Sequence, residues 1–254
     1  MKGIILAAGY ATRLFPITLD RPKALLEVAG VPIISHIVEQ MNLVSDISEI
    51  IVVTNHKFVD HFVRWQSKLS GGKPVKILDD MTESEETRLG AIGDIQFTIH
   101  SEGINEDVLI IAGDNFFTFD LTEFTRYYAQ SGKDCVVAKE VDDYEQLKSF
   151  AVAKLAHDGK ILNLVEKPQH PESNTAIFAA YIYTRETVAR FAQYLAEGNK
   201  PDAPGYFVQW LYKRADVYAY SIDGEIYDIG TKKALDHVNE LMGGGSATDM
   251  EARA

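Results

Sequence analysis

The chain has 254 residues, 46% hydrophobic and 24% charged, enough to bury a substantial core as one large domain or as a domain with a lobe. A formal net charge of -12 and a pI near 5.0 argue against nucleic acid or an anionic membrane as the main partner, since both select clustered Lys and Arg. One cysteine, Cys135, excludes an intrachain disulfide and points to a reducing cytoplasm; the first apolar run is too short for a signal-peptide core, and no stretch reaches membrane-spanning length.

In chain order, strand-like runs at 2–7, 49–54, 75–79, 107–112 and 134–139 alternate with helix-like stretches at 33–44, 56–69, 88–99 and 121–130. That alternation predicts an α/β fold: a Rossmann-like, mostly parallel sheet with helices on both faces and ligands at the carboxyl ends of its strands. The second half is richer in β-structure, with strands at 150–155, 160–165, 175–183, 216–221 and 225–228 and helices at 185–197, 206–213 and 232–242. We read residues 1–242 as a single domain, 1–140 binding nucleotide and 141–242 forming a smaller β-rich acceptor-side lobe, with 243–254 as a glycine-rich mobile tail. There is no internal repeat, and the hexapeptide pattern of a β-helix is missing.

The first strand stops at Ala7-Ala8-Gly9, where small residues let backbone N–H groups close on an anion. Arg13 follows just beyond, and Lys23 stands behind Pro22, whose fixed φ limits how the lysine is presented. A turn and two cations so close together can grip a polyphosphate. Joining two phosphate groups also calls for Mg2+, which prefers one or two carboxylates plus phosphate oxygens and water. Asp114, at the end of the strand V-L-I-I-A-G-D-N, and Asp228, in E-I-Y-D-I-G-T, are the candidates.

Residues 6–29, LAAGYATRLFPITLDRPKALLEVA, closely resemble the signature of the nucleotidylyltransferases that make nucleotide sugars, L-A-G-G-x-G-T-R-L-x-P-x-T-x-x-x-P-K-x-L-L-P-V. The resemblance implies that Leu6, Ala7, Ala8, Gly9, Tyr10, Ala11, Thr12 and Arg13 wrap the triphosphate, with Arg13 and Lys23 as catalytic cations. G-D-N and Y-D-I-G-T resemble the family's two metal-carboxylate motifs, which assigns Mg2+ to Asp114 and Asp228. Glu166-Lys167-Pro168 with Ser173-Asn174 resembles the element holding a sugar 1-phosphate; it implies that Lys167 meets the phosphate while Glu166 and Asn174 bond sugar hydroxyls, with Ala179 in the same pocket. Thr87-Arg88-Leu89-Gly90-Ala91 resembles the segment packed against the nucleobase, adding Thr87 and Gly90, with Asp114, to the nucleotide site.

The chain departs from the family pattern at several places. Ala11 replaces a glycine, so a left-handed backbone there would be strained or the loop would sit differently. Glu27 replaces a proline, Thr87 a common glycine, and Phe178-Ala179 a small polar residue and a glycine, which reshapes the sugar pocket.

Seven histidines without paired spacing give no zinc motif, and neither G-x-G-x-x-G after the first strand nor a P-loop occurs. Trp65, Trp210, Tyr127 and Tyr128 sit in amphipathic settings and read as core. The expected reaction is Mg2+-assisted in-line transfer of a nucleotidyl group from a nucleoside triphosphate to a phosphorylated sugar. Two alternatives stay open: a cytidylyltransferase for phosphocholine or another small phosphorylated alcohol, and a non-catalytic nucleotide-sugar-binding subunit. A homo-oligomer is also left open, and the base is not distinguished.

Overall fold

The computed structural model describes residues 1–243; the expected tail, apart from Gly243, lies outside the described residues. The elements are β1 (Lys2–Leu6), β2 (Glu27–Val28), β3 (Val31–Pro32), α1 (Ile33–Leu43), β4 (Glu49–Thr54), α2 (Val59–Gln66), β5 (Val75–Asp79), α3 (Ala91–Glu102), β6 (Val108–Ala112), β7 (Asn115–Phe117) and α4 (Leu121–Ser131). They continue with β8 (Asp134–Glu140), α5 (Tyr144–Leu147), β9 (Ala151–Leu155), β10 (Ile161–Glu166), β11 (Thr175–Tyr183), α6 (Arg185–Val188), α7 (Arg190–Ala196), α8 (Pro204–Leu211), β12 (Val217–Ser221), β13 (Ile226–Asp228) and α9 (Lys232–Gly243).

The strands β5, β4, β1 and β6 lie side by side and parallel, as the alternating sequence requires. From β6 the same sheet continues through β11, which runs antiparallel and pairs with both β8 and β9. With β10 and β12 it reaches nine strands, so the strands of the second half extend the sheet of the first. Successive residues of the central strands enter opposite cores: Ile5, Val52 and Ile111 pack on one face, Ile4, Ile51 and Ile110 on the other. Because a strand's side chains alternate, this two-sided burial explains why the central strands read as continuous apolar runs.

Three expected helices differ from the sequence reading. The stretch 56–69 begins as a 3-10 turn, His56–Phe58, capped by Asn55 Oδ1, before α2. The stretch 88–99 becomes helical only at Ala91, because the N–H groups of Ala91 and Ile92 bond the carbonyls of Asp202 and Pro201. The stretch 185–197 is divided at Ala189 into α6 and α7. Three short strands went unread: β2, β3 and β7.

Between β5 and α3 lie two buried carboxyl groups, Asp80 and Asp94, 4% and 6% exposed. Asp80 Oδ1 accepts from the N–H and hydroxyl of Thr82, whereas Asp80 Oδ2 and Asp94 Oδ1 meet no fixed donor. A proton shared between the two carboxyl groups satisfies both. Burial and the neighbouring Asp80 charge push the Asp94 carboxyl up to about 8, against the opposing Arg88 charge. A carboxyl raised above its unfolded value of 3.8 holds its proton longer in the native state, so its stabilising contribution is lost as pH rises from about 4 to about 8. Asp94→Asn should therefore gain stability relative to the parent across that interval, measured by urea unfolding at a series of pH values. A difference that stays constant with pH would exclude the shared proton.

Candidate functional site

At the carboxyl edge of the parallel strands, β1 ends at Leu6 and β6 at Ala112, paired in register. The Ala7 N–H continues the ladder to Val53 O at 2.9 Å, after which the chain leaves the sheet. Among the described residues, no backbone N–H from Ala8 to Thr12 meets a protein acceptor. The loop that leaves them free is held from outside: Asn55 Nδ2 donates to Ala8 O at 2.9 Å, Thr18 Oγ1 to Ala11 O at 2.8 Å, and Tyr10 OH lies 3.4 Å from Thr82 Oγ1. Free N–H groups on a fixed loop form an anion cradle. Ala11 sits at φ 50, ψ 41, the left-handed conformation in which its Cβ is crowded. The glycine-to-alanine departure is thus accommodated by strain and not by a different loop.

The cradle opens into a cleft of about 340 Å³ lined by Leu6, Ala7, Gly9 through Leu14, Lys23, Arg88 and Asp114, among others. Arg13 lines it, exposed, with no ion pair or side-chain hydrogen bond to any described residue. Lys23 enters from a 3-10 turn, Lys23–Leu25, that starts at Pro22 (φ -65) and is anchored by buried Ala24, Leu25 and Leu26. Its ammonium donates to Asp114 Oδ2 at 2.5 Å and to Asp228 Oδ1 at 3.1 Å. Burial opposes the lysine charge, but the two carboxylates outweigh it and hold the Lys23 pKa above its ordinary value.

Asp114 follows Gly113, whose N–H bonds Leu6 O at 2.8 Å; a Cβ there would lie 2.9 Å from that same carbonyl oxygen, so only glycine brings Asp114 this close to β1. Asp228 arrives from the far end of the chain through the antiparallel pair β7–β13, which sets Asp228 opposite Asn115. The Ile229 N–H adds a bond to Asp114 O at 3.3 Å.

Asp114 and Asp228 also line a second cavity of about 170 Å³, together with Glu166, Lys167, Phe178 and Ala179. Phe178 packs on Phe150, ring centroids 4.8 Å apart. Burial pushes the Glu166 carboxyl up to about 7, against the smaller opposing charge of Lys167. A Cβ on Gly205 would lie 1.8 Å from Glu166 Oε2, so the close approach of α8 to this carboxylate requires glycine.

The structure thus brings together Arg13, Lys23, Asp114 and Asp228, with Glu166, Lys167 and Ala179 adjoining. Asn174, exposed at the start of β11, lines neither cavity. Thr87 is exposed and bonded to Ser84, and Gly90 is buried beside Pro201; neither lines the cleft, although Arg88 between them does. Sequence reasoning missed Asp202 and Glu85, which pair with Arg88 at 2.9 and 3.2 Å across the cleft mouth. It placed Asn115 in the G-D-N motif without a role; its buried Nδ2 has no acceptor among the described residues, and the residue lines the second cavity. No periodicity or spacing marks these residues.

For a divalent cation, the donor set consists of Asp114 and Asp228. Their oxygens converge on one cation position, as the lysine contacts demonstrate, and this suits a metal completed by phosphate oxygens. No cluster of three or more His, Cys, Asp or Glu that could hold a metal exists among the described residues.

Comparison with known proteins bears on the family and the fold. The family model for nucleotidyl transferase matches residues 2–243. The Bifunctional protein GlmU of Methanococcus vannielii is 29% identical over 240 residues, covering 91% of this chain and 52% of the relative. The UTP--glucose-1-phosphate uridylyltransferase AglF of Haloferax volcanii is 27% identical over 184 residues, 72% of each chain. A Bacillus anthracis structure described as a candidate glucose-1-phosphate thymidylyltransferase, in complex with sucrose, superposes with a TM-score of 0.77 at 26% identity, covering 95% of each chain. The chain spans about half the length of the first curated relatives it matches.

The strain at Ala11 is open to measurement. Ala11→Gly removes a left-handed penalty of roughly 1–2 kcal/mol and adds about 0.4–1 kcal/mol of unfolded-state entropy, so it should stabilise the fold by about 0.5–1 kcal/mol in urea unfolding. Destabilisation would show that the loop is not held in this conformation.

Proposed function

This chain belongs to the nucleotidyl transferase family, and from that premise we propose that it transfers a nucleotidyl group from a nucleoside triphosphate to a sugar 1-phosphate, releasing pyrophosphate. The observation that carries the reading is the convergence of the Asp114 and Asp228 carboxylates on Lys23 where the two cavities adjoin. One cavity takes the triphosphate and the other the acceptor, so the phosphorus to be attacked lies between them.

The free N–H groups from Ala8 to Thr12 cradle the triphosphate, and Arg13 faces the departing pyrophosphate. Lys23 neutralises charge on the α-phosphate, and Lys167 meets the acceptor phosphate. Glu166 accepts from sugar hydroxyls, and Asn174 reaches the sugar only if the strand start it occupies turns inward. Asp114 and Asp228 would hold Mg2+, which when bound lowers the repulsion between the two phosphate groups. An acceptor phosphate oxygen forms the new bond to the α-phosphorus as the bond to the bridging β-phosphate oxygen breaks. The electron pair leaves with pyrophosphate, and no side chain becomes covalently attached. The lone Cys135 supports a reducing compartment: it is buried, and burial pushes its thiol up to about 12. No described helix is long and apolar enough to cross a membrane.

A second reading rests on Phe150 and Phe178. Aromatic faces beside the Glu166 carboxylate suit a quaternary ammonium group as well as a sugar, which favours phosphocholine as the alternative acceptor. Pyrophosphate release, screened over the common nucleoside triphosphates against sugar 1-phosphates and phosphocholine, should show turnover with a sugar 1-phosphate. Asp228→Asn should lower kcat about 10²–10³-fold, corresponding to the loss of about 3–4 kcal/mol of transition-state stabilisation. Turnover with phosphocholine alone would select the second reading, and no turnover with any pair would leave a nucleotide-sugar-binding protein without this activity.

A further inference from the structure

Two demands meet on Lys23. Its ammonium bonds both carboxylates, and the phosphoryl chemistry calls for that same cation on a phosphate oxygen. Resting on the nucleotidyl-transfer reading, we propose that Lys23 is the built-in counter-cation of the Asp114–Asp228 pair, competes with a divalent metal for it, and is released to phosphate only when the metal–triphosphate complex arrives.

Three observations support this. First, a single nitrogen lies within 3.1 Å of an oxygen from each aspartate, so lysine and metal compete for the same lone pairs. Second, the protein supplies only these two carboxylates; among the described residues no third His, Cys, Asp or Glu joins them in a metal-binding group. Two carboxylates shared with an ammonium make a poor site for a strongly hydrated ion, whereas triphosphate oxygens complete its shell. Third, the route for the lysine is short. Lys23 and Asp114 line the same cleft as the loop with the free N–H groups, so rotation of its side-chain torsions moves the ammonium from carboxylate to phosphate without moving the anchored turn at Lys23–Leu25.

The consequence is ordered loading. The free protein holds its own cation and leaves metal in solution, so the acidic pair is never uncompensated and does not capture stray divalent ions. Arriving triphosphate brings its metal and, with its own negative charge, offers the displaced lysine a new partner. Arg13, which bonds neither carboxylate, takes no part in the exchange.

Mn2+ titration followed by electron paramagnetic resonance, on the whole protein without nucleotide, tests this separately from catalysis. Lys23→Met should bind Mn2+ about tenfold or more tightly than the parent, Lys23→Arg should stay close to the parent, and Arg13→Gln should change affinity less than about threefold. A Lys23→Met protein no tighter than the parent overturns the proposal, as does an Arg13→Gln protein that tightens equally, since that reports only the general field of the cleft. If Lys23→Met does not fold, Lys23→Gln takes its place with the same expected tightening and the same overturning result. Tight Mn2+ binding by the nucleotide-free parent, not improved by adding triphosphate, overturns the proposal alone. Loss of the transfer reading itself would instead appear as absent turnover in the pyrophosphate-release screen, whatever the Mn2+ affinities.

Discussion

The ammonium of Lys23 between two aspartates is the contact on which the rest of this site depends. Lys23 and Asp114 are 91 residues apart in the chain and Lys23 and Asp228 are 205 apart, so no local preference brings them together. Two carboxylates this close repel each other, and a buried ammonium costs desolvation. Each is tolerated because the other is present. The cluster is therefore an element of folding and, in the proposed reaction, the electrostatic centre that handles the triphosphate.

Three backbone devices meet at this point. The parallel strands β1 and β6 end together and deliver the phosphate loop and Gly113-Asp114 to one rim. The β7–β13 ladder adds Asp228 in a fixed register, and α9, which follows it, is tied back when Asn239 bonds Glu27 O and the Ala29 N–H. On the far side, β10 and the N-terminus of α8 present Glu166 to the second cavity. Since all but the β7–β13 ribbon and the short β2–β3 pair belong to one nine-stranded sheet, the two cavities share one floor.

Legibility in the sequence followed the range of the interactions. The central strands could be read because two-sided burial forces unbroken apolar runs such as Ile50 to Val53, and the phosphate loop because its turn and cations are contiguous. Asp114 and Asp228 were each suggested by a place at a strand end, and both needed the resemblance to a family to be assigned a metal. β7, three residues long, is too short to show a period of two. The Arg88–Asp202 pair bridges 114 residues between two loops, and Asn174 lies exposed just before β11; composition encodes neither placement. At Ala11 the residue type raised the right question, and only the backbone angle answered it.

The most direct test of the central contact is a double-mutant cycle on unfolding free energy with Lys23→Met and Asp228→Asn. Residues in direct contact within one ion-pair network couple by about 0.5–3 kcal/mol, whereas independent residues add to within about 0.3–0.5 kcal/mol. The structure predicts a favourable coupling of about 1 kcal/mol or more between these two side chains. Additive effects would contradict it, because they would mean that Lys23 and Asp228 do not meet in the folded protein.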